Sequence, residues 1–197
     1  MAVVLPCATA TAFTPPRIGH QYLTIGVTNE PGLMIDDTAP EGVSQHAVVW
    51  SQRLRLGLQH AVHTNFYASA EVELGGTYFN PHTANASGKS ASDGAFAWQV
   101  AVATRVIPGG DDGGFHLGWG ISLMRASLEE SPLYVLGFDV RTGFLLWQGD
   151  SFGLIDVGYV FPFIQGVALP ADFSGMQERA SQDWSLHRAF VSLNVGF

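Results

Sequence analysis

Two short patterns put a nucleophile beside a base. Ser44-Gln45-His46 and Ser185-Leu186-His187 each set a serine two residues before a histidine. Alternate residues of a strand share a face, so each hydroxyl stands near an imidazole able to take its proton in acyl transfer. No carboxylate shares the face of either pair to orient the histidine. Both pairs are read as interfacial polar residues, and no catalytic residue is assigned. His116 has no second ligand near it in sequence, so it is a hydrogen-bonding residue rather than a metal ligand. The run Gly109-Gly110-Asp111-Asp112-Gly113-Gly114 lacks the alternating ligands and closing glutamate of a calcium loop and is a flexible turn. No metal or cofactor is expected.

A larger set of charged residues falls on one phase of alternating segments. It comprises Arg53, Arg55, Arg105, Arg141 and Arg188 with Glu71, Glu73, Asp139 and Asp156. Unpaired charges are very costly away from water. Near balance of sign therefore predicts an ion-pair network, with Arg53 and Arg55 meeting Glu71 and Glu73 across a hairpin, and Arg141 meeting Asp156.

The elements that must carry these charges are strands. Hydrophobic residues make up 47% of the 197-residue chain and charged residues only 13%. No apolar run approaches the roughly 20 residues of a membrane-spanning helix. Apolar residues instead recur at period two. The first alternating segment runs from about Arg17 to Val27, and the second from about Ser44 to Gln59. The next five are Phe66–Tyr78, Phe96–Val106, Phe115–Met124, Tyr134–Leu146 and Ile155–Phe163, and the last starts near Trp184. In each, one face is apolar and aromatic; the other mixes Gly, Ala, Ser and charge. In the last segment Val191, Leu193, Val195 and the terminal Phe197 share the apolar face.

The connections alternate in length. Thr28–Val43, Phe79–Gly94, Ala126–Pro132 and Ile164–Asp183 follow the odd strands, and three of them are long. His60–Thr64, Ile107–Gly114 and Gln148–Ser151 follow the even strands, and all are short. Long loops at one end and short turns at the other, with an apolar outer face, predict an all-β, eight-stranded antiparallel up-and-down transmembrane barrel. A soluble lipid carrier is the competing reading, but it would put the apolar face inside. An eight-stranded interior holds small residues and paired charges and rarely leaves an aqueous channel.

Aromatic residues at strand ends predict two interfacial belts. Trp50, Tyr78, Trp98, Tyr134, Phe163 and Trp184 fall near the long-loop end; Trp147 and Phe197, with Phe66, Phe115 and Phe152, fall near the short-turn end. The long loops are acidic, with Glu30, Asp36, Asp37 and Glu41 in the first, Glu129 and Glu130 in the third, and Asp172, Glu178 and Asp183 in the fourth. With a net charge of −8 and Lys89 the only lysine, a nucleic-acid partner is not expected. Residues 1–16 are read as an N-terminal arm or the remnant of an export signal, and residues 17–197 as the barrel. The single Cys7 carries no disulfide framework.

From about Arg17 to Phe197 the pattern resembles the small eight-stranded Gram-negative outer-membrane barrels, such as the OmpA transmembrane domain, OmpX and OmpW families. The resemblance rests on strand pattern and loop rhythm, not on a diagnostic string. It implies an outer-membrane location with both termini in the periplasm. It also implies that Val191, Leu193, Val195 and Phe197 form the signal read by the barrel-assembly machinery. Lipid and lipopolysaccharide are the implied surroundings, with other outer-membrane or surface proteins as candidate partners. The expected function is non-enzymatic: a structural, adhesion or partner-binding role through the extracellular loops. The alternative is a narrow conduit for small or hydrophobic solutes, as in the OmpW family. A lipid A-modifying enzyme is a third reading. The lipid A deacylases set a His-x-Ser pair and a Glu on the lipid-facing wall, whereas here the order is Ser-x-His without the carboxylate.

Overall fold

The computed structural model describes residues 18–36, 46–81, 93–108, 113–127, 132–148, 150–166 and 184–197. Its strands are β1 (Gln21–Asp36), β2 (His46–His63), β3 (Phe66–Pro81), β4 (Asp93–Val106), β5 (Gly113–Ser127), β6 (Pro132–Gln148), β7 (Ser151–Gly166) and β8 (Trp184–Gly196). Each pairs antiparallel with the next, and β8 returns to β1, which closes the barrel. Phe197 completes the closure: its backbone N–H donates to the Leu23 carbonyl, and the Leu23 N–H donates to the Phe197 carbonyl, both at 3.0 Å.

Alternation decides which side chains meet which environment. Leu56, Val72, Val100, Ile121, Val140 and Leu193 are exposed on the outer wall, while the residues between them face inward. So broad an apolar exterior needs lipid around it. The strands span 13 to 18 residues, more than the about 9–11 residues needed to cross a bilayer. They therefore project past the hydrocarbon.

This extra length corrects the strand ends read from sequence. The first strand continues from Val27 to Asp36, so Glu30 belongs to the wall and not to a loop. The strand runs through Pro31 and Gly32. A proline is tolerated there because the β1–β8 ladder, continuous at Asn29↔Val191 and Gly32↔Arg188, skips Glu30 and Pro31, where a donor is missing. The ladder to β2 continues unbroken through Pro31↔Trp50.

A second irregularity lies between β7 and β8. Their ladder runs from Phe152↔Gly196 to Val160↔Arg188 and stops there. Beyond it, β7 pairs only with β6, through a bulge that steps from Gly137↔Pro162 to Leu136↔Ile164 and leaves Phe163 extra. β8 in that stretch pairs only with β1. The Gln165 side chain replaces the lost ladder, its Oε1 accepting from the Leu186 N–H at 3.0 Å.

Candidate functional site

The inward face is stacked in three layers. At the short-turn end Tyr22, Tyr67, Trp147 and Phe152 fill the mouth with Ile107, Leu145 and Leu154. Ring centroids of Trp147 and Phe152 lie 4.7 Å apart, and those of Tyr22 and Trp147 5.0 Å apart. At the long-loop end Val49, Met124, Val135 and Leu186 pack with Ala95, Ala97, Ala126 and Leu133. All the ion pairs among the described residues lie between these apolar layers.

The charged layer has two centres. In the first, Glu71 lies 3.4 Å from Arg55, 2.8 Å from Arg105 and 3.0 Å from Arg141. Asp156 lies 3.3, 2.8 and 3.9 Å from the same three arginines, and 3.2 Å from His116 Nε2. Arg141 Nε donates to Asp139 at 2.7 Å. The Ser69 hydroxyl donates to Glu71 at 2.9 Å. Arg55 and Arg141 both sit over the Phe190 ring.

In the second centre Glu30 bonds Arg53 and receives Arg188 Nη1 at 3.0 Å. Gln99 Oε1 accepts from Arg53 at 3.0 Å and from Arg188 at 2.8 Å. Glu73 links the centres, accepting from Arg53 Nη1 at 3.2 Å, Arg55 Nε at 2.6 Å and Thr28 at 3.0 Å. Every one of these side chains is buried.

Glycine makes the crowding possible. A Cβ at Gly118 would sit 2.8 Å from Cγ of Arg141, and one at Gly158 2.4 Å from Cζ of Phe190. The small inward residues stand where long charged side chains cross the lumen.

The nine charged residues picked from the sequence thus lie in one connected layer. Glu30 is the member sequence reasoning missed, and with it five arginines face five carboxylates. Its signal was available: continuing the β1 alternation past Thr28 puts Glu30 on the inward phase.

Trp147 requires correction. It was expected at the membrane interface, but it is 2% exposed and packs inside the barrel, as does Phe152. Depth alone had suggested the belt. The phase is opposite, since the neighbouring Leu146 takes the outward position. On the outer wall Trp50, Tyr78, Phe163 and Phe197 are exposed, Trp98 and Tyr134 are half-buried, and the Trp184 side chain falls outside the described residues. Val191, Leu193 and Val195 are exposed on the same face as Phe197.

Of the two Ser-x-His pairs, Ser44 and the His46 side chain fall outside the described residues. His187 is half-buried on the outer wall, with its Nδ1 2.7 Å from the Tyr159 hydroxyl. Among the described residues no group of three His, Cys, Asp or Glu could hold a metal ion. The acidic residues from Asp37 to Glu41, Glu129, Glu130, and those from Asp172 to Asp183 also fall outside the described residues, as do residues 1–16 and 109–112.

No family model matches the sequence, and no curated protein matches it. Among solved structures, Neisserial surface protein A (NspA) shares the fold with a TM-score of 0.50 and 11% sequence identity, over 89% of this chain and 95% of that one. The outer membrane protein OprG from Pseudomonas aeruginosa has a TM-score of 0.44 and 12% identity, over 91% of this chain and 98% of that one. The fold is that of an eight-stranded outer-membrane β-barrel.

Proposed function

We propose that this chain is a non-conducting outer-membrane barrel, with both termini in the periplasm, that acts through its extracellular loops as a structural, adhesive or partner-binding surface protein without catalysis. The observation that carries this reading is the filled lumen. A charge-balanced layer held between two buried apolar layers gives ions no continuous polar path. Activity is then left to the surfaces outside the lumen. The outward apolar wall and the likeness in fold to NspA support the membrane and the compartment.

Planar-bilayer recording tests the closed lumen: folded protein is expected to give no unitary current steps, and reproducible steps would overturn the reading. Adherence and aggregation of cells expressing the full chain, against cells expressing a variant with residues 37–45, 82–92 and 167–183 shortened to tight turns, tests the loop role. Equal behaviour of two folded, equally expressed barrels would remove it. The orientation is tested at Lys89, the only lysine, with a membrane-impermeant amine reagent on intact cells. Labelling of the wild type that is lost in Lys89→Arg is expected.

The conduit reading keeps one observation in its favour, the missing ladder between β7 and β8 at the long-loop end. A passage there would run sideways through the wall rather than along the axis. It predicts that a disulfide joining residues 163 and 185 would abolish uptake of a small hydrophobic compound; unchanged uptake would remove it.

A further inference from the structure

The outer wall carries one arginine among the described residues. Arg125 alternates along β5 with Met124 and Ala126, both fully buried in the lumen, so its side chain belongs to the lipid-facing phase. Its cross-strand partners are Trp98 on β4 and Tyr134 on β6. Arg125 Nε donates to the Tyr134 hydroxyl at 3.0 Å, and the guanidinium carbon lies 5.7 Å from the Tyr134 ring centroid. One edge and one face of the guanidinium are therefore committed, while the Nη edge has no partner among the described residues.

The contrast with the lumen is sharp. Arg53, Arg55, Arg105, Arg141 and Arg188 each meet at least one carboxylate. Arg125 meets none among the described residues; of its outward neighbours Phe96, Leu123 and Leu136 are apolar and Ser127 carries no charge. A cation on a lipid-facing wall is costly unless it snorkels to the interface or finds an anion. The flanking Trp98 and Tyr134 put it at headgroup height, where such rings settle. The anion repeated at that height is the lipid phosphate, and a planar guanidinium fork matches it in a way that a point charge does not.

We propose that Arg125, positioned by Tyr134 and flanked by Trp98, binds a phosphate on a lipid of the surrounding leaflet. This rests on the membrane reading above; in the orientation proposed there, the lipid is in the outer leaflet and its phosphates are those of lipid A. The site deepens that reading, because it supplies a direct contact between a strongly acidic chain and an anionic leaflet.

The test is native mass spectrometry of the full chain folded in detergent, titrated with bisphosphorylated lipid A and with the same lipid freed of phosphate. Wild type is expected to hold the phosphorylated lipid roughly tenfold more tightly than Arg125→Gln, as loss of a charge-assisted contact implies. The phosphate-free lipid should bind both alike. Arg125→Lys should recover part of the difference, and Tyr134→Phe should lose part of it. Inorganic phosphate at matched concentration should not compete; full competition would replace the lipid site by a soluble-anion site and overturn the proposal. Equal affinity of wild type and Arg125→Gln for phosphorylated lipid would overturn it as well. So would loss of the difference between wild type and Arg125→Gln once Glu129→Gln and Glu130→Gln are present in both, because Arg125 would then act through a loop ion pair. A heat-modifiable gel shift in every variant certifies the fold. Its absence from the wild type would count against the membrane reading itself, and Lys89 labelling decides the leaflet separately.

Discussion

The two faces of a single strand differ more here than any two strands do. Along β4, Val100 and Val102 face lipid, while Gln99 and Ala101 between and beside them face a charged interior. Inside, stability comes from a few specific partners, and each group depends on its neighbours. Outside, it comes from broad apolar area, and no single contact dominates. The same substitution should therefore have very different consequences one residue apart.

The largest effect is expected at Glu71. Three arginines converge on it, and Glu71→Ala would leave an excess of buried positive charge. Breaking a buried pair from one side costs about 3–5 kcal/mol. The urea midpoint for unfolding from lipid vesicles, read by tryptophan fluorescence, should fall accordingly. A loss under about 1 kcal/mol would mean that the lumen behaves like a solvated surface.

On the lipid side the cost comes from adding a charge rather than removing one. Val100 pairs with Val72 on one side and Leu123 on the other, near the middle of the wall. Val100→Arg should cost about 2–4 kcal/mol, the penalty of a cation at the bilayer midplane. Vesicle unfolding measures it. The same arginine at Tyr78, close to the long-loop end, should cost only about 0–1 kcal/mol. Equal penalties at the two depths would mean that the outer wall is not set against a bilayer.

Much of this architecture was legible in the sequence because period two survives tertiary folding in a barrel. Each strand has one lipid face and one lumen face, and no second layer packs on either. The charged layer was legible for the same reason. Its nine expected members lie on the phase that also carries Gly and Ala. What escaped came from letting a local signal override the phase. The alternation read from sequence ends at Val27, and the acidic stretch Thr28–Val43, Glu30 included, reads as a loop. Trp147 was placed by its distance from a strand end, although its neighbour Leu146 already held the outward position. The β7–β8 break was not legible, since neither Pro31 nor Pro162 shows in sequence whether a ladder continues past it. Only the register shows that one ladder resumes beyond its proline and the other stops.

Glu30 sharpens the comparison within the lumen. Arg53 retains Glu73 and Gln99 when Glu30 is neutralised, whereas Arg188 retains only Gln99 and the Met124 sulfur. Glu30→Gln keeps the shape and removes the charge. Its cost is expected near 1–3 kcal/mol, that of weakened charge-assisted hydrogen bonds, and therefore below that of Glu71→Ala. The same vesicle unfolding experiment ranks them, and a larger loss at Glu30 would reverse the order of the two centres.

The smallest expected effect falls where the wall has neither ladder nor lumen network. Gln165 joins β7 to β8 by one side-chain bond to the Leu186 N–H. Gln165→Ala removes one hydrogen bond at the long-loop end of the wall, so the global cost should be about 0.5–1.5 kcal/mol. The local consequence should be larger than the global one. Amide exchange at Leu186 should quicken by tenfold or more, while the amides of Phe190, Ser192 and Asn194, which face β7 inside the intact β7–β8 ladder, keep their rates. Quickening along the whole of β8 would instead mean that the two stretches open as one unit. The break in the ladder would then be no weaker than the wall around it.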